Sequence, residues 1–114
     1  MPGAPKRTGP VALTTNLATN VLQGGGGSAL IYDVITKIHV VNKTPNVAKF
    51  SLWVGATGAN AAGTELYNAE SVPGNSSWVR YMRMPMKSTD FLVGGADTAT
   101  ALTIEIDSEQ YVVP

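Results

Sequence analysis

The chain has 114 residues, enough for one domain and too few for two. Only 14% of residues are charged, and eight Lys/Arg cancel eight Asp/Glu, which excludes a nucleic-acid binder working through bulk positive charge; the 44% apolar content excludes wholesale disorder. There is no cysteine and a single histidine, which removes disulfides, thiolate chemistry, cysteine zinc sites and most imidazole-based constellations.

No stretch approaches the roughly 18 consecutive apolar residues that cross a bilayer, so no membrane partner is expected. Residues 1–10 carry Pro2, Pro5 and Pro10 together with Gly3 and Gly9. Proline fixes φ and lacks a donor, so this segment predicts an extended arm, not a helix or a central strand. It bears the Lys6-Arg7 pair, and no apolar run follows it, so it does not read as a signal peptide. In residues 11–22, Leu13, Leu17 and Val21 lie four apart, as on a helix. Their Thr and Asn neighbours are poor helix formers, and irregular chain or a short edge strand is expected. Gly24 to Gly27 and Ser28 read as a flexible connector without the Gly-Lys-Ser/Thr of a phosphate loop. The expected division is therefore an arm and connector over 1–28 and a β-sandwich over 29–114.

Strand signals begin at residue 29. Residues 29–42 are rich in β-branched side chains and alternate from Val34: Val34, Thr36, Ile38 and Val40 on one face, Ile35, Lys37, His39 and Val41 on the other. Residues 42–46 form a turn punctuated by Pro45 and Asn46. In residues 47–54, Phe50, Leu52 and Val54 oppose Lys49, Ser51 and Trp53. Residues 55–64, nearly all Gly, Ala, Thr and Asn, predict a long surface loop. A short strand over 65–72 and a turn at 73–76 follow. In residues 77–84, Trp78, Arg80, Met82 and Met84 oppose Val79, Tyr81 and Arg83, and Pro85 ends that strand or confines it to an edge. Residues 91–93 are a short strand, Gly94-Gly95 a turn, and residues 100–107 place Leu102, Ile104 and Ile106 inward. Residues 111–113 close the chain. Seven to nine short strands with turn residues between them predict an all-β protein. The expected fold is an antiparallel β-sandwich, jelly-roll or immunoglobulin-like, with an extended N-terminal arm.

Candidate chemistry is sparse. His39 shares a strand face with Lys37, a setting more typical of a surface histidine than of a ligand or base. Asp107, Ser108 and Glu109, with Glu105, offer oxygen ligands for Ca²⁺ but lack a glycine-punctuated loop and read as solvated carboxylates. Nothing places Glu65 and Glu70 across a cleft as a hydrolytic pair, and no Gly-x-Ser-x-Gly elbow occurs. No enzyme, cofactor or metal is expected. The aromatic residues suggest adhesion instead. Either both faces of these strands are half buried with Trp53 and Trp78 in the core, or Trp53 or the Tyr81/Arg83 pair anchors a partner, or the aromatic faces form a saccharide platform. Residues 1–57 hold five basic groups against one acid, leaving +4, and residues 58–114 hold three against seven, leaving −4. Such asymmetry suits head-to-tail packing of identical subunits in a ring, and near-zero net charge favours association.

Certain residues carry a resemblance. Ile31-Tyr32-Asp33-Val34 opens an alternating strand that runs to Val41-Asn42. Phe50-Ser51-Leu52-Trp53-Val54-Gly55 follows, and Leu92-Val93-Gly94-Gly95-Ala96-Asp97 precedes a Thr/Ala/Ile strand. Over residues 29–106 this order resembles the small β-sandwich virion proteins of tailed bacteriophages, among them head decoration or cement proteins and some tail components. The Gly-Gly-Ala-Asp spacing departs from the tighter Gly-Asp usual in that family. The resemblance implies a non-enzymatic protein on the capsid surface of the virion, made in the host cytoplasm. Its partners would be the major capsid protein and itself, as a dimer or trimer, with no nucleic acid and no membrane. Lys6 and Arg7 would meet capsid carboxylates, with Trp53, Tyr81 and Arg83 as further partner-binding residues. The alternatives are a tail or head–tail component, or a receptor- or carbohydrate-binding module.

Overall fold

The computed structural model describes residues 3–60 and 64–113; residues 61–63 of the expected loop, and Met1, Pro2 and Pro114, lie outside the described residues. Eight strands appear in chain order: β1 Ala4–Ala12, β2 Asn20–Gln23, β3 Ile31–Asn42, β4 Ala48–Gly55, β5 Glu65–Val72, β6 Ser76–Met86, β7 Phe91–Ala96 and β8 Leu102–Val112, with a 3₁₀ turn at Gly24–Gly27. They form two four-stranded antiparallel sheets, ordered β1-β8-β3-β6 (sheet A) and β2-β7-β4-β5 (sheet B). The sheets bury their facing sides against each other, which is the all-β sandwich that the period-two patterning predicts.

The core follows the alternation. Leu102, Ile104 and Ile106 of β8 face inward against Phe50 and Leu52 of β4 and Leu92 of β7, all at most 1% exposed. Each such burial contributes roughly 1.5–3 kcal/mol. On β6, Trp78, Met82 and Met84 pack against this core, while Val79 and Tyr81 face solvent. In β3 the predicted phase holds only in part. Ile35 and Ile38 are both fully buried core residues, because the β3–β8 register skips one residue between Ile35 and Lys37. Thr36 is that extra residue, and its Oγ1 donates to the Asp107 carbonyl at 3.2 Å. A bulge of this kind reverses which face a strand presents.

Four expectations are corrected. Residues 4–12, expected as an arm, form the edge strand β1, paired with β8 from Ala4↔Gln110 to Ala12↔Thr103. Their prolines are compatible with an edge, where missing donors go unnoticed. With β2 in sheet B, residues 4–23 enter both sheets, so the sandwich does not begin at residue 29. The connector Gly24–Gly27 is a folded turn in which Gly24 and Gly25 are buried. A Cβ on Gly25 would sit 2.2 Å from the Ile31 carbonyl oxygen, and its φ of +59° also favours glycine. Gly94 and Gly95 lie inside β7 instead of turning the chain. A Cβ on Gly94 would lie 2.1 Å from the Ser51 oxygen, so glycine serves close approach between strands.

Candidate functional site

Cross-strand register builds the outer face of sheet A. One row runs Arg7, Asp107, Lys37, Tyr81 across β1, β8, β3 and β6, and the next runs Glu105, His39, Val79. Residues directly opposed in antiparallel strands share a face, so these side chains stand side by side. Lys37 Nζ lies 3.2 Å from Asp107 Oδ2 and 3.7 Å from Glu105 Oε1. The hydrogen bond with Glu105, and then Lys37, hold the Asp107 carboxyl below its usual range. Burial, and then the hydrogen bond to Asp107, push Glu105 above its own. Glu105 Oε2 is buried without a partner among the described residues. Asp107 therefore keeps its charge, and Glu105 is the carboxyl that protonates first. Lys37 is raised by its hydrogen bond to Asp107. Toward β6 the face becomes apolar and open: Val79 is 41% exposed and Tyr81 76%.

The structure brings three of the five predicted partner residues to sheet A's solvent side. Arg7, Tyr81 and Arg83 are exposed, Arg7 opposite Asp107 and Tyr81 opposite Lys37. Lys6 faces the other way. Its Nζ approaches Asp33 Oδ2 at 3.4 Å, and Asp33 is fully buried. It is thus committed within the chain. Trp53, which the alternation groups with Lys49 and Ser51, is 7% exposed, so of the open readings the core one holds. It lies on β4, an interior strand of sheet B, between Val93 and Glu65 in register, which removes it as an exposed anchor or sugar platform. Of the acidic cluster, Ser108 is buried, while the flanking Asp107 and Glu109 are on the opposite face of the same strand. Tyr111 hydroxyl donates to Glu109 Oε1 at 3.1 Å. Among the described residues no three His, Asp or Glu side chains group as a metal site. Glu65 and Glu70 lie on one strand, β5.

Two clusters were not anticipated. At the β5/β6 edge, Trp78 packs edge-on against Phe50 (centroids 4.9 Å) and Tyr67 (5.0 Å). The Arg80 guanidinium covers both open rings, 5.2 Å from the Trp78 centroid and 5.5 Å from that of Tyr67. The alternation had put Trp78 and Arg80 on one face, a signal that an aromatic–cation cluster was forming. At the other edge, Asp33 Oδ2 accepts from Gly25 N–H at 3.0 Å as well as from Lys6. Asp33 Oδ1, Ser108 Oγ and Thr8 Oγ1 are buried there without partners among the described residues. Only the Lys6–Asp33 separation of 27 positions hid this contact from the sequence.

No protein-family model matches the chain, and no curated protein shows significant sequence similarity to it.

Proposed function

We propose that this chain is a non-enzymatic structural protein of a tailed-phage virion, a decoration protein that binds the outer surface of the major capsid protein lattice and reinforces the head as a small homo-oligomer. The observation that carries the reading is Tyr81, 76% exposed on a β-sheet face, with Arg83 on the same strand and an ion-paired row beside it. Tyrosine and arginine dominate interface energetics because they add large contact area and directed hydrogen bonds at low conformational cost. The ordered Lys37–Asp107 pair supplies a fixed charge pattern around that anchor, which favours specificity of docking. The strand-and-turn resemblance to small virion sandwich proteins supports the same reading. A glycan platform built on Trp53 loses its ring to burial.

The test incubates capsid shells lacking the protein with the wild type, Tyr81→Ala and Arg83→Glu. Loss of a central anchor of about 2 kcal/mol raises the concentration for half occupancy about 30-fold. Thermal melting should be unchanged, because Tyr81 lies outside the core. Undiminished occupancy by both variants, or gold labelling of tails in place of heads, would overturn the reading. Deleting residues 1–10 is a poorer probe, because it removes most of β1 and the Lys6–Asp33 pair.

A further inference from the structure

The N-terminal strand is attached differently from every other strand. None of Ala4–Ala12 is buried, and the hydrophobic core begins at Leu13. From there on the chain is fastened to the body: Leu13 N–H bonds Leu102 O at 2.8 Å, Ala96 N–H bonds Thr14 O at 2.8 Å, and Gly94 N–H bonds Thr19 O at 2.9 Å. Ahead of Leu13 the β1–β8 register breaks between Thr8 and Val11, at Gly9 (φ +86°). Residues 4–8 are therefore held by their ladder to residues 106–110 and by the Lys6–Asp33 contact. The β8 residues paired with them are mostly polar: Gln110 opposite Ala4, Glu109 opposite Pro5, Ser108 opposite Lys6 and Asp107 opposite Arg7, with Ile106 opposite Thr8 as the apolar exception.

We propose that residues 4–8 are an exchangeable strand, which swings about Gly9 and pairs with residues 106–110 of a second copy while that copy returns its own. The occupant of the vacated groove is specified by charge. A buried carboxylate needs a cation, and the segment brings Lys6 to Asp33 and Arg7 to Asp107. Exchange replaces each contact within a chain by the same contact between chains. The equilibrium is then set by concentration and by the contacts that two-fold packing adds between the bodies. The five extended residues ahead of Gly9, Ala4 to Thr8, span about 17 Å. An array of bound copies raises the local concentration and drives exchange. This deepens the self-association in the proposed function, and its test uses purified protein alone, so it fails separately from capsid binding.

The chain has no cysteine, so introduced thiols report cleanly. Separately folded Arg7→Cys and Asp107→Cys proteins, mixed at high concentration and then oxidised, should give a disulfide-linked heterodimer. Its yield should exceed severalfold that of Arg7→Cys mixed with Lys43→Cys, an exposed position out of register. The double variant Arg7→Cys/Asp107→Cys should close within one chain at low concentration, which verifies the register. A heterodimer yield no higher than the Lys43→Cys control overturns the proposal. Should the double variant fail to close, the opposed pair Pro5→Cys and Glu109→Cys repeats the experiment, with the same two outcomes deciding it.

Discussion

The two open edges of the sandwich are closed by opposite chemistry. Where β5 meets β6, Phe50, Tyr67 and Trp78 interlock and Arg80 lies across the outer rings. Where β1 flanks β8, a lysine reaches a buried aspartate of β3 that also accepts from the glycine turn, and several buried oxygens have no partner among the described residues. An aromatic seal gains stability from the area it desolvates and from edge-to-face ring contacts. A buried ion pair nearly cancels its own desolvation cost, so it contributes little net stability while penalising any other arrangement strongly. The first edge is built to stay shut, and the second to accept one specific strand.

The largest expected effect tests the aromatic edge. Trp78→Ala should remove about 3 kcal/mol, the low end for a core tryptophan because the ring is partly exposed. Urea denaturation should show this as a lowered midpoint with an unchanged slope. A loss below about 1 kcal/mol would mean that the edge is held by its strand ladders, and the contrast with β1 would collapse.

The second effect tests the ionic edge. Lys6→Met leaves the buried Asp33 with Gly25 N–H as its one remaining partner among the described residues, and should cost about 2 kcal/mol, discounted because Lys6 is 27% exposed. Adding Asp33→Asn keeps an acceptor for Gly25 and removes the charge, so the double variant should recover most of that loss. If the double variant is as unstable as Lys6→Met alone, the lysine acts by packing and the charge argument fails.

How far these edges were legible in the sequence differs for a physical reason. The period-two pattern placed Leu102, Ile104 and Ile106 inward and separated Trp78 from Tyr81, because a pleated strand enforces alternation locally. The fold class and the placement of Tyr81 and Arg83 on the face opposite Trp78 followed from it. Strand β1 was hidden because its pairing with β8 joins residues about a hundred positions apart, and its Pro and Gly content describes only what it cannot be. Nothing in the sequence singles out Asp33, since its partners Lys6 and Gly25 are not adjacent to it in the chain. Trp53 and the Gly94-Gly95 step depend on neighbours in sheet B, and the Thr36 bulge inverted one face that strict alternation had assigned.

The smallest effect compares like with like: an ion pair on the open face of sheet A against the one under β1. The Glu105 pKa is raised in the folded state, so its ionisation opposes folding, and stability from this group falls as pH climbs through that raised value. Asp107 is depressed, so its contribution is fully present above the ordinary aspartate value and is lost as pH drops through the folded one. The two carboxyls thus act in opposite directions across the acid range and largely offset each other. Glu105→Gln removes the opposing member. At pH 7 it should leave the melting temperature unchanged or raise it by about a degree or two, since such partly exposed pairs are screened by solvent. Below the Glu105 value the variant and the wild type should converge, because the wild-type side chain is then neutral as well. Asp107→Asn should instead lower the melting temperature slightly at pH 7 and flatten its decline toward acid. Melting curves from pH 3 to 8 for both variants read the sign directly. If Glu105→Gln destabilises at pH 7 as much as Lys6→Met does, the exposed pair matters as much as the buried one, and burial does not explain the difference between the two.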